Sequence, residues 1–148
     1  MRFKPIPPRY LNVLLVLAVL MHYLMPVKIL IRPPFAYLGI ILIILGLTLN
    51  LWAVRILSGN QTTIDFDKDP SDLVTNGPFR ISRNPIYLSG VMASAGIAIF
   101  LGSVITFVFP LMLLLILDRV YIPAEEETLE NMFGDEYLTY KHRVRRWL

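Results

Sequence analysis

The sequence predicts an all-α protein: a polytopic integral membrane helical bundle with about four transmembrane helices and a cytoplasmic C-terminal helical segment. Three observations predict this. The 148 residues are 55% hydrophobic and only 17% charged, where ordinary soluble domains carry about 25% charge, and the mean hydropathy is +0.60. Apolar runs recur at the length of about 20 residues that a helix needs to cross hydrocarbon. Lysine and arginine collect at the ends of those runs, as they do beside membrane spans. A chain of this length is one domain, and it has no room for a soluble core beside several spans, so the spans themselves form the fold.

The first span is placed at residues 10–31, "YLNVLLVLAVLMHYLMPVKILI". Basic residues precede it (Arg2, Lys4, Arg9), but the run is longer than a signal-peptide core and no small-residue cleavage site follows, so it is read as a retained helix. Pro33 and Pro34 close a short turn, and the second span covers 35–57, where Gly39 and Gly46 invite close approach of another helix. Residues 58–84 are polar, carry Pro and Gly, and read as a cytoplasmic loop. The apolar stretch from Asn84 to Ile122 is too long for one span and divides at Gly102-Ser103 into spans at 85–101 and 103–122. The first arm is rich in small residues (Ser89, Gly90, Ala93, Ser94, Ala95, Gly96), which favours tight helix packing. Residues 123–148 are expected to form two cytoplasmic helices, Glu125–Phe133 ending at Gly134 and Asp135–Trp147 lying at the membrane surface.

Orientation follows from basic residues near the span ends. The N-terminal tail, the long loop and the C-terminal tail hold most of them, while the first turn has only Lys28 and Arg32 and the Gly102-Ser103 turn has none. Both termini are therefore expected in the cytoplasm. That puts "GPFRISRNPIYLSG" and "AEEETL" on one side of the membrane at the same depth.

Several function classes drop out. Without cysteine there is no disulfide, thiolate metal site or cysteine nucleophile. His22 and His142 lie in unrelated segments, so no metal site is predicted. Basic residues are not interleaved with aromatics in the manner of a nucleic-acid groove, and no nucleic-acid partner is expected. The constellation that carries chemistry is Arg80, Arg83, Asn84 and Tyr87 from one segment, Glu125 and Glu126 from the other, and Tyr140, Arg143 and Arg146 from the tail. Asn84 and Tyr87 share a helix face, and Pro85 suits a first helical turn, where its missing N–H costs nothing. Glu125 and Glu126 have a plain alternative role, acidic side chains at a helix N-terminus. Arg145 and Arg146 have another, as headgroup anchors.

The order "LVTNGPFRISRNPIYLSG", an apolar hairpin, then "EEETLENMFGDEYLTYKHRVRRW" resembles the isoprenylcysteine carboxyl methyltransferase family and related phospholipid methyltransferases, with "LWAVRILSGNQTT" as the approach to the loop. The likeness runs from about Leu51 to Trp147. It implies a membrane enzyme that uses S-adenosylmethionine, with a lipid or prenylated small molecule entering between helices as methyl acceptor. By motif position it implies that Arg83, Asn84, Pro85, Tyr87, Glu125, Glu126, Tyr140 and Arg146 line the cofactor pocket. It makes Arg143, Tyr87 and Glu126 the catalytic candidates. One position departs: the family's histidine before proline is Asn84 here, which hydrogen-bonds but is no base near neutral pH. The acceptor stays open between a carboxylate, already ionised, and an amine, which needs a base such as Glu126 or Tyr87. Two alternatives are kept: a reductase-like protein binding NADPH, whose pocket should be more basic than this one, and a non-catalytic membrane module.

Overall fold

A computed structural model describes residues 8–25, 28–59 and 72–148, with side chains from Val13 onward. Residues 60–71 of the predicted loop, together with Arg2 and Lys4 and the side chain of Arg9, lie outside the described residues. Those residues form helices α1 (Pro8–Leu24), α2 (Leu38–Gly59), α3 (Pro85–Leu101), α4 (Val108–Ile116), α5 (Ile122–Phe133) and α6 (Asp135–Arg143). Short 3-10 turns lead into α2, α3 and α4, and the one extended pairing among them is the Ile29–Ser103 bridge.

α3 is the central helix. It packs along α2 more than along any other element, and touches α1 and α4 on its other sides. The small residues make this possible: Ser89, Ser94, Gly96 and Ala98 are buried on α3, as are Gly39, Gly46 and Ala53 on α2. A Cβ on Gly39 would stand 2.3 Å from the Gly96 carbonyl oxygen, and one on Gly46 would stand 2.9 Å from that of Ser89. The two backbones are thus in contact, and dispersion between helices replaces a large side-chain core. Gly102 then ends α3 at φ 69°, a conformation that glycine adopts without steric cost. Its carbonyl accepts from the Leu30 and Ile31 amides at 2.7 and 3.2 Å. The α1–α2 turn and the α3–α4 turn therefore share one end of the bundle, as the predicted hairpin requires.

From Val104 to Phe133 the chain is one uninterrupted helix of 30 residues. The sequence-based break after Ile122 is absent; instead Leu117–Tyr121 widens into a π-helical turn. Pro123 supplies the reason: it has no N–H for the Arg119 carbonyl and its ring crowds that oxygen, so the turn before it loosens rather than stopping. This helix and Phe35–Gly59 are long and apolar enough to cross a membrane; Val13–Leu24 and Pro85–Leu101 are shorter apolar helices. Only 11% of the apolar window of Phe35–Gly59 is buried. Ile40, Ile41, Ile44, Leu45, Leu47 and Leu51 face outward, an outer surface that suits lipid rather than water.

α6 ends at Arg143, where Val144 turns extended (φ −118°, ψ 133°). The helix predicted to Trp147 is therefore shorter, because the last residues find tertiary hydrogen-bond partners on the segment before α3.

Candidate functional site

At the end of the bundle opposite the two tight turns, four stretches of chain converge: 77–87, the π turn with the start of α5, α6, and the extended tail. The Gly77–Arg80 turn depends on Gly77 at φ 57°, which lies against Ile56 and Trp52 of α2. The tail crosses this segment as a strap. The Arg83 amide donates to the Arg145 carbonyl at 3.0 Å, and Ser82 Oγ and Asn84 Nδ2 both donate to the Arg146 carbonyl at 3.1 Å. The Asn84 side chain thus holds the strap, and the Asn84 backbone N–H donates to Ser82 Oγ at 3.1 Å.

Beneath the strap lies an ion-pair network centred on the buried Glu126. Its Oε1 is 2.9 Å from Arg83 Nη2, and the Arg146 guanidinium forks onto both oxygens, Nε to Oε1 at 3.2 Å and Nη2 to Oε2 at 2.9 Å. Arg146 Nη1 continues to Asp118 Oδ1 at 3.2 Å, where Trp147 Nε1 also donates at 3.0 Å. Lys141 lies 4.0 Å from Glu126 and 3.1 Å from Glu130, tying α6 to α5. These hydrogen bonds, that to Glu126 above all, raise the Arg146 pKa against the opposing effect of burial.

Asp118, Ser82, Lys141 and Trp147 belong to this network without having been singled out as site residues in the sequence. Asp118 has a local partner in Arg119 at 3.5 Å. Its second partner, 28 residues away, leaves no mark in sequence spacing. The helix-capping role for the two glutamates is overturned, since no helix begins at Glu125. The anchor role for Arg146 gives way to the network, while Arg145 is exposed.

Glu125 and Glu126 are neighbours with separate partners. Glu126 faces the strap; Glu125 faces Tyr87 on α3. The Tyr87 hydroxyl is buried beside that carboxylate yet makes no hydrogen bond of good geometry, and Arg83 Nε is likewise buried and unpaired. Among the described residues no cation stands within ion-pair distance of Glu125. Tyr140 is buried and donates to the Phe79 carbonyl at 2.7 Å; Pro85 is buried at the first turn of α3. Arg143 and Arg80 are exposed and not drawn into the network. Next to Glu126, between α5 and α6, an open pocket of about 340 Å³ is lined by Pro123, Glu126, Glu127, Glu130, Asn131 and Lys141. The described residues contain no cluster that could hold a metal ion.

This end of the molecule can therefore accept a small ligand carrying both signs of charge: carboxylates and a cation line it, and buried donors lack partners. Residues 35–136, which contain the α2–α3 contact, the Arg83–Tyr87 segment and both glutamates, match the family model for phospholipid methyltransferases. The chain belongs to the phospholipid methyltransferase family. Proteins to which it is similar include a probable protein-S-isoprenylcysteine O-methyltransferase of rice, in both the indica and japonica subspecies. Each is 30% identical over 118 residues, which are 76% of this chain and 60% of the rice protein. The chain thus spans about three-fifths of the length of these relatives. An uncharacterised protein of Haemophilus influenzae is 36% identical over 63 residues, 43% of this chain and the whole of that protein. No solved structure matches the chain.

Proposed function

We propose that this member of the phospholipid methyltransferase family is an integral membrane enzyme that transfers a methyl group from S-adenosylmethionine to a lipid-like acceptor at the cytoplasmic face. Four spans, 10–31, 35–57, 85–101 and the first part of the long helix, place both termini in the cytoplasm. One observation carries the reading: the Arg83–Tyr87 segment and the Glu125–Glu126 pair, distant in sequence, meet at one end of the bundle, where Arg83 Nε is buried without a partner. A purely structural cluster has no reason to leave Arg83 Nε buried without a partner, since an unmade buried hydrogen bond costs about 1–3 kcal/mol.

The donor supplies an electrophilic methyl on a sulfonium. Glu125 and the Tyr87 ring provide negative potential for that cation, with cation–π attraction worth about 0.5–2 kcal/mol. Arg83 Nε remains for a carboxylate or hydroxyl oxygen of the ligand, and Glu126 holds Arg83 in place from the other side. Asn84 and Pro85 fix the start of α3, and Tyr140 fixes the Gly77–Arg80 turn, so the wall of the site is rigid where alignment matters. Alignment is the protein's main contribution, because holding two reactants in line removes about 7–11 kcal/mol of barrier. Arg143, exposed on the last turn of α6, is assigned to the acceptor. Asn84 cannot take a proton near neutral pH, so an amine acceptor would lose its proton to Glu125 or through Tyr87, and a carboxylate acceptor would need neither.

The test is calorimetry on the purified protein in detergent with S-adenosylmethionine, paired with mass spectrometry of lipid extracts given isotope-labelled donor. Saturable binding and a labelled lipid are expected. Glu125→Gln should weaken donor binding roughly tenfold, as loss of a charged hydrogen-bond partner does, with little change in melting. Absence of saturable binding in the intact protein overturns the reading.

A further inference from the structure

The opposite end of the bundle holds a second pocket, about 470 Å³, framed by the end of α1, the turn into α2 and the end of α3. Its polar groups are His22, Arg32 and Tyr37, and its apolar wall includes Ile31, Phe100 and Leu101. Three observations bear on what it takes. His22 Nδ1 is buried and has no hydrogen-bond partner, and the imidazole stands in a T-shaped pair with the Tyr23 ring at 5.0 Å. The charge at this end is of one sign: Lys28 and Arg32 are cationic, and the sequence has no Asp or Glu before Asp65 and none between Pro85 and Leu117. The surrounding surface is an exposed aromatic band, Tyr23, Phe35, Tyr37 and Phe100, and such residues mark the level of the lipid headgroups.

We propose that this pocket binds the phosphate of an anionic membrane phospholipid in the leaflet facing away from the Glu126 network. The Arg32 guanidinium matches phosphate by a forked pair of hydrogen bonds, the Tyr37 hydroxyl donates from the rim, and His22 donates from Nδ1 inside. Ile31, Phe100 and Leu101 take the glycerol and the first acyl methylenes. A free inorganic phosphate would satisfy the same donors but would leave the apolar wall uncovered. The proposal shares the spanning arrangement with the proposed function but does not depend on methyl transfer.

Native mass spectrometry of the full chain in detergent, titrated with dioleoyl phosphatidylglycerol, tests it. One tightly held lipid per chain is expected, with dioleoylglycerol, which lacks the phosphate, bound far more weakly. Arg32→Gln should raise Kd about fivefold, as expected for one arginine near an anionic headgroup. Tyr37→Phe, at an exposed position that folding tolerates, should weaken binding in the same direction. Lys28→Gln, at the same end but outside the pocket lining, should change it clearly less than Arg32→Gln does. Equal losses for Lys28→Gln and Arg32→Gln would overturn the proposal in favour of general surface charge. Unchanged affinity in both Arg32→Gln and Tyr37→Phe, or equal binding of dioleoylglycerol, would overturn it outright. Displacement by inorganic phosphate at the affinity of the lipid would make this a free-anion site and overturn the lipid assignment.

Discussion

Glu126 decides more of this molecule than any other single side chain. Two guanidiniums converge on it under the strap, and its side chain is only 8% exposed. Taken from the sequence alone, Glu126→Gln would weaken ligand binding with stability nearly unchanged. The structure changes that expectation: the substitution leaves Arg83 and Arg146 facing a neutral amide in a buried place, and breaking such a pair costs on the order of 3 kcal/mol. Thermal melting in detergent should fall clearly for Glu126→Gln and hardly at all for Glu125→Gln, which has no cation within ion-pair distance among the described residues. The buried tyrosines of α6 give a pH signature. Burial, reinforced by the Glu126 carboxylate, pushes Tyr137 up to about 12, and burial raises Tyr140 as well. Tyrosine is neutral when protonated, so a raised folded pKa contributes stability that is whole below the unfolded value of about 10. That contribution is lost as pH rises through the folded value. Melting temperature should hold steady to about pH 9–10 and then decline, alongside phenolate absorbance that appears later than in the unfolded chain.

Among the elements, the α2–α3 contact is the scaffold on which the site is mounted. Gly39 against Gly96 and Gly46 against Ser89 leave no space for even a methyl group. Gly96→Leu would force the backbones apart, at a cost of several times the roughly 1–3 kcal/mol of ordinary overpacking, and size-exclusion chromatography should show aggregated or unfolded protein. Gly59 has nothing within 4 Å of its notional Cβ, so Gly59→Ala should be tolerated in the same assay. The π turn at Leu117–Tyr121 is the other decisive element. It carries Asp118 towards Arg146 and Trp147 while the helix continues beyond it, so that Glu126, two turns further on, meets the same arginine.

For the whole molecule, the two ends differ in charge and in chemistry. One end gathers carboxylates, arginines and the strap; the other has Lys28 and Arg32 with no carboxylate among the described residues. If the helices span the bilayer as proposed, these ends face opposite compartments. The chain has no cysteine, so single cysteines can report this directly. In sealed vesicles, Arg143→Cys and Lys28→Cys, both exposed positions, should react with a membrane-impermeant maleimide from opposite sides. Labelling of both from one side would exclude the spanning arrangement.

The sequence by itself determined the helical class, the hairpin at Gly102-Ser103, the small-residue packing of α3, the cap at Gly134 and the family. Each of these is written locally: apolar length, glycine placement and short ordered motifs are properties of neighbouring residues. It also named the residues that meet at the site, since Arg83, Asn84, Tyr87, Glu126, Tyr140 and Arg146 do converge there. Only the tertiary structure decided how they are paired. Glu125 and Glu126 look alike in the sequence, but adjacent helical positions point about 100° apart, which sends one to Tyr87 and the other to the strap. Helix propensity would carry α6 on to Trp147; hydrogen bonds from Ser82, Arg83 and Asn84 draw the last residues into an extended strap instead. Asp118 meets Arg146 for the same reason. These contacts join segments far apart along the chain, and their energy depends on where the fold brings them rather than on any pattern a neighbouring residue could reveal.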